Sequence, residues 1–136
     1  MPLTDQMRLD GKVIVVVGAA SGIGKAVSHG CAEIGTMVHC LDLDEPAAKK
    51  VAAHIRKSKG TAYGNTLDLR NTEQVSSLLN RIHNLENRLD VMICTPSINI
   101  RKTLLNYTDQ EFDRVVELNL KGSFIALRET GRIMTA

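Results

Sequence analysis

The sequence predicts an α/β protein, a doubly wound parallel sheet, on three observations. Short apolar runs alternate with amphipathic helical stripes in the order β-α-β-α-β-α-β-α. The runs are close to continuously apolar, as strands buried on both faces require. The segments between them are long enough for the right-handed crossovers that join parallel neighbours. No internal repeat, low-complexity stretch or linker breaks this order, so residues 1–136 read as one domain with four strands.

Residues 12–17 form the first apolar run, a strand buried on both faces. Ile23, Ala26, Val27, Cys31 and Ile34 then share one helical stripe, and Gly35 is placed to end that helix. Residues 36–41 read as the second strand. Asp44 is a cap for the second helix, Pro46 is tolerable in its first turn, and Ala48, Val51, Ala52 and Ile55 make its apolar face. The basic end "RKSKG" suits a helix C-terminus. Residues 61–67 are a weaker strand, interrupted by Gly64. A third helix starts near Asn71, with Gln74 at capping-box spacing, and carries Val75, Leu78, Leu79 and Ile82 on one stripe. Residues 89–94 form a fourth, buried strand. A last helix opens at Thr108, with Glu111 again at capping-box spacing.

Composition narrows the function classes. No apolar run approaches the ~20 residues of a membrane span. The start, "MPLTDQMRLD", has neither the apolar core of a signal peptide nor the character of a transit peptide, so the expected location is the cytoplasm. Net charge is +2 with signs interspersed, and aromatics are 3% with no Trp, so neither the basic stripe nor the stacking rings of a nucleic-acid binder are present. Cys31, Cys40 and Cys94 are widely spaced and read as small apolar residues, with no metal expected.

The junction between the first strand and first helix, "VVVGAASGIGKAV", holds Gly18, Gly22 and Gly24. A helix N-terminus offers unpaired N–H groups and partial positive charge, which attract phosphate. Gly18 permits the tight turn, Gly22 the close approach of a pyrophosphate, and Gly24 the packing of helix on strand. A Walker A loop does not fit: Ile23 stands where its second glycine would be, and Ala26 follows Gly24-Lys25 where a magnesium-binding hydroxyl is needed. The second strand ends at Asp42, about 20 residues past the last glycine, where dinucleotide folds place the acidic residue that binds the adenosine ribose. A carboxylate there repels a 2′-phosphate, and Leu43, Asp44 and Ser21 supply no cation to offset it. NAD is expected over NADP.

The glycine spacing, within "LDGKVIVVVGAASGIGKAV", closely resembles that of the short-chain dehydrogenase/reductase family. "CLDLDE" resembles the family's acidic turn after the second strand. Asp68-Leu69 resembles its Asp-aliphatic pair near the adenine ring. "FDRVVELNLKGSF" resembles the segment carrying its catalytic Asn, here Asn119. The resemblance implies a Rossmann-type fold, cofactor contacts from Gly18, Ser21, Gly22, Ile23, Gly24, Asp42, Asp68 and Leu69, and a catalytic role for Asn119, which in the family helps hold a proton-relay water. By residue type alone, an Asn on the stripe of Phe112, Val115 and Val116 could equally be a buried amide satisfied by backbone.

Three departures bear on activity. Val17 replaces the family's usual Thr before the first glycine, and Cys94-Thr95-Pro96-Ser97 replaces its Asn-Asn-Ala-Gly. The Tyr-x-x-x-Lys motif is absent: Tyr63 is followed at i+4 by Leu67, and Tyr107 by Glu111. His29, His39, His54 and His83 read as surface or packing residues rather than substitute acids, and Arg101-Lys102 as a solvated loop pair. The chain therefore reads as the N-terminal, cofactor-binding part of an NAD-dependent oxidoreductase, truncated before the catalytic Ser, Tyr and Lys and inactive alone. In a complete chain the substrate would be a small alcohol or carbonyl compound. The alternative is a non-catalytic nucleotide-binding or partner-binding module. Self-association or a homo-oligomer is expected: in the family's strand order the fourth strand is central, and with no fifth beside it "VMIC" becomes an uncovered apolar edge; the last helix also resembles one that packs between subunits in the family.

Overall fold

The computed structural model describes residues 3–136; of the N-terminal segment used above to judge targeting, Met1 and Pro2 lie outside the described residues. A short helix, α1 (Leu3–Gln6), precedes β1 (Val13–Val17), α2 (Gly22–Glu33), β2 (Met37–Asp42), α3 (Glu45–Lys57), β3 (Thr61–Thr66), α4 (Thr72–Glu86) and β4 (Val91–Cys94). A single 3-10 turn, Leu104–Asn106, leads to α5 (Asp109–Val116), a π-helical segment (Glu117–Gly122) and α6 (Ser123–Met134). The strands form one four-stranded sheet in the order β3-β2-β1-β4, every neighbour parallel. The doubly wound α/β architecture is therefore observed.

Both faces of the sheet are covered, which is why the strand sequences are continuously apolar. Ile14, Val16, Val38, Cys40 and Ala62 point to the side of Val51, Ala52 and Ile55 from α3, with Val27 and Cys31 of α2 packed on the same cluster. Val13, Val15, Val17 and Leu41 point to the other side, against Val75, Leu78, Leu79 and Ile82 of α4 and Ile125 and Ala126 of α6. All five residues of β1 are buried.

The caps follow the predicted chemistry. Asp44 accepts from the Ala47 N–H at 3.0 Å, Asn71 from the Gln74 N–H at 3.0 Å, and Thr108 and Glu111 form a full capping box. The Gln74 side chain does not complete a box with Asn71; it turns to accept from the Asp68 N–H at 2.9 Å. Helix α2 ends as expected on Gly35, with Gly35 N–H donating to Ala32 O and Thr36 N–H to Cys31 O.

Three sequence expectations are corrected. The stripe of α2 is corrected at its start: Val27, Cys31 and Ile34 are half-buried, but Ile23 and Ala26 are exposed, and the buried positions are Gly24 and Ser28. The backbone at Gly24 lies against the turn after β1, where a Cβ would come within 2.1 Å of the Gly18 carbonyl oxygen. The fourth strand, expected to be buried, is half-buried along its length, because it lies at the sheet edge with β1 as its one neighbour among the described residues. Phe112, expected on a buried stripe with Asn119, is 60% exposed, while Val115 and Val116 are half-buried; no described residue covers that outer face enough to bury it.

Candidate functional site

The chain runs outward from β1 through β2 to β3 and then returns to β4 on the opposite side of β1. A crevice opens outside the carboxyl ends of the strands at such a reversal. A cavity of about 630 Å³ lies there, lined by Gly18, Ser21, Gly22, Ile23, Asp42, Asp68 and Leu69 among others. Seven of the eight residues expected to contact a cofactor thus share one cavity wall. Gly24, the eighth, sits behind it.

Each glycine has a distinct reason to be there. Gly18 has φ of +83°, a left-handed conformation that lets the chain leave β1 sharply. A Cβ on Gly24 would lie 2.1 Å from the Gly18 carbonyl oxygen, so only glycine allows this helix-on-strand contact. A Cβ on Gly22 would meet no described atom within 4 Å, leaving its backbone open to the cavity. Helix α2 also differs from α3, α4 and α5 at its start: its N-cap, Ser21, makes no side-chain cap. Its first turn of N–H groups therefore receives no side-chain cap at the rim of the cavity.

The turn is held from the β2 side. Gly18 and Ala19 N–H groups donate to Leu41 O at 2.8 and 3.1 Å, and Ala20 N–H donates to Asp42 Oδ2 at 3.0 Å. Asp42 Oδ1 accepts from the Asp44 N–H at 3.1 Å. The carboxylate is thereby fixed at the tip of β2 and retains accepting capacity toward the cavity, since each oxygen has a second lone pair.

Asp68 is engaged by a residue the sequence reading missed. Arg70 donates from Nε and Nη2 to the two Asp68 oxygens at 2.9 and 2.8 Å, and these hydrogen bonds hold the Asp68 carboxyl below its usual range. Both line the cavity. The spacing Asp-x-Arg at a strand end is the signal that could have been used. The opposite wall, residues 95–98, was legible only as a departure from a family pattern.

Asn119 does not line the cavity. Its Nδ2 donates to Ile98 O at 2.8 Å and its Oδ1 accepts from Ile98 N–H at 2.9 Å, pinning the wall residue to the π-helical segment. π segments add a residue to the turn and recur at functional sites; here the widened turn places the amide. None of His29, His39, His54 or His83, nor Arg101 or Lys102, lines the cavity; Lys102 pairs with Glu111, and His39 is buried with Nε2 3.1 Å from Glu86 Oε1. Burial raises the thiol pKa of Cys31, Cys40 and Cys94. Among the described residues no helix is long and apolar enough to cross a membrane.

The family model for short chain dehydrogenase matches residues 12–136. An NAD-dependent glycerol dehydrogenase of Listeria innocua is 34% identical over 125 residues, 92% of this chain and 48% of the relative. A D-threitol dehydrogenase of Mycolicibacterium smegmatis is 28% identical, with 93% and 49% covered. Among solved structures, gox2181 superposes with a TM-score of 0.91 at 32% identity, covering 95% of this chain and 51% of that one. A short-chain type dehydrogenase/reductase from Mycobacterium marinum gives 0.92 at 28%, covering 98% and 54%. The chain spans about half the length of the curated relatives it matches. A glycine turn at the sheet's reversal point, an acidic residue closing β2 and the matched family model lead to one conclusion: the chain belongs to the short-chain dehydrogenase family.

Proposed function

We propose that the chain is the cofactor-binding part of an NAD-dependent oxidoreductase, which exchanges hydride between a nicotinamide and a small alcohol or carbonyl substrate. The observation that carries this reading is the uncapped N-terminus of α2 behind a glycine turn, sharing a cavity with the fixed Asp42 carboxylate. The cradle fits a dinucleotide: open space over Gly22 for a pyrophosphate, helix N–H groups with no side-chain cap to receive its charge, and a carboxylate at the end of the neighbouring strand, on the same cavity, for a ribose. The similarity to an NAD-dependent glycerol dehydrogenase supports NAD over NADP.

In this reading Gly22, Ile23 and Gly24 N–H groups bind phosphate oxygens, Asp42 accepts ribose hydroxyls, and Asp68 with Leu69 flanks the base. Hydride chemistry is what a nicotinamide supplies when bound. Asn119 holds the Ile98 backbone, and with it the wall beside the reacting end. An amide does not titrate near neutral pH, so Asn119 cannot serve as the proton donor to a developing alkoxide. General acid–base help is worth about 10²–10⁴-fold in rate, and support of the charged oxygen about 10²–10³-fold more.

The test is NADH absorbance followed over a panel of alcohols, polyols and ketones. The 136-residue chain is expected to be inactive, and a version extended with a half that carries a Ser and Tyr-x-x-x-Lys to turn over. Turnover by the 136 residues alone would overturn the assignment, because it would require an acid among the residues now given packing roles.

A further inference from the structure

The glycine turn is gripped from the β4 side as well, by Thr95. Thr95 follows the last residue of β4, and both of its donors go to one acceptor: the N–H donates to Val17 O at 3.0 Å and the hydroxyl to the same oxygen at 2.8 Å. The hydroxyl also lies 3.5 Å from Gly18 O. It occupies space that two missing side chains leave. A Cβ on Gly18 would come within 2.4 Å of Thr95 Oγ1, and one on Gly24 within 2.8 Å. The hydroxyl therefore sits in the notch between the first and last glycines, where the turn leaves β1 and α2 passes over it. Pro96 abuts the same glycine, with its Cγ 3.2 Å from the Gly18 Cβ position.

We propose that Thr95 is a positioning residue for the phosphate-binding turn, its hydroxyl latching β4 to the backbone of Val17 and Gly18. The inference rests on the cofactor reading above for its consequence and on the contacts alone for its mechanism. Val17 brings no hydroxyl of its own to this junction, so the polar tie across it comes from β4. With Leu41 O and Asp42 holding residues 18–20 from the β2 side, Thr95 makes the grip two-sided. A turn held on both sides presents its N–H groups in one arrangement before a phosphate arrives, and preorganisation of that kind lowers the cost of binding. Loss of the hydroxyl leaves Val17 O still bonded to the Thr95 N–H, so the sheet persists while the turn loosens.

The test compares Thr95→Val, which swaps the hydroxyl for a methyl of similar size, with Thr95→Ser, which keeps the hydroxyl, in the native-length protein. Thr95→Ala serves if the valine variant does not fold. Two quantities are read: hydrogen exchange of the Gly18, Ala19 and Ala20 amides in the free protein, and the affinity for NADH by titration. Thr95→Val is expected to speed exchange at those three amides by about ten-fold and weaken NADH binding by a similar factor, the scale of one lost hydrogen bond. Amides in β2 and β3 stay unchanged, and Thr95→Ser stays near the parent in both readings. Parent-like exchange and affinity in Thr95→Val, or equal losses in Thr95→Ser, would overturn the latch. If the unaltered protein bound no NADH, the cofactor reading would fall, and the exchange contrast would still decide the latch.

Discussion

At the scale of single residues, Asp90 and His39 each tie the stability of the fold to pH. Asp90 accepts from both Arg88 Nε and Nη2 at 2.7 Å and from the Val13 N–H at 2.8 Å, with Lys12 at 3.4 Å. The Arg88 hydrogen bonds lead in holding its carboxyl far below the usual range. A carboxyl depressed on folding contributes stability that is present above its unfolded value, near 4, and is lost as pH falls toward the folded one. His39 acts in a separate window. Burial beside Tyr63 lowers its pKa, against the opposing pull of Glu86, and its Nδ1 has no acceptor to receive a second proton. A histidine depressed on folding also favours the native state above its unfolded pKa, near 6.5, and costs stability as pH falls below that. Denaturant melts from pH 8 to 3 are expected to show decline in two stages. Asp90→Asn should flatten the lower stage and His39→Gln the upper, and a single unaltered decline in both variants would contradict these assignments. Within the site, Gly22→Val is expected to abolish dinucleotide binding, since a branched side chain would fill the open space at a residue whose φ is +52°. Lys25→Ala, an exposed charge, should change affinity only slightly. Normal binding by a folded Gly22→Val protein would move the phosphate site elsewhere.

At the scale of elements, legibility in the sequence depended on whether the controlling interaction was local. The caps at Asp44, Asn71 and Thr108 were readable because cap and partner lie within three residues of each other. The apolar faces of α3 and α4 were readable because eight apolar residues carry the period, and all eight are buried. The face of α2 was read only in part: Val27 and Cys31 do pack on the sheet, but the most buried positions are Gly24 and Ser28, which carry no apolar signal. The π turn around Asn119 left no trace in the pattern, since its extra residue is defined by backbone bonds alone. Thr95 was visible only as an odd residue in a family motif; its bond to Val17 spans 78 positions, beyond any local rule. The same elements carry an association prediction. β4 has an open outer edge among the described residues, and Phe112, Leu120, Phe124 and Leu127 line the exposed side of α5, the π segment and α6. An unpaired strand edge and a contiguous apolar face both template contact with another chain. The 136-residue chain is expected to self-associate, read by light scattering across a concentration series. A monodisperse monomer at high concentration would contradict this.

At the scale of the whole molecule, the sheet's reversal point gathers the residues proposed to hold the cofactor. β1 delivers the glycine turn, β2 delivers Asp42, the segment after β3 delivers Asp68 and Leu69, and the segment after β4 delivers Thr95 and the wall that Asn119 pins. Three crossovers between parallel strands bring these four strand ends to the same rim, so residues far apart in sequence line one cavity. We propose above all that this rim binds NAD, with Asp42 selecting it over NADP. Calorimetric titration of NAD and NADP on the same protein tests that claim most directly, alongside a variant carrying Asp42→Ala with Leu43→Arg. The parent is expected to bind NAD at least about ten-fold more tightly than NADP, and the double variant to move toward NADP, because a carboxylate near a 2′-phosphate repels it and a guanidinium attracts it. Equal affinities in the parent, or a preference unmoved by the double substitution, would contradict it.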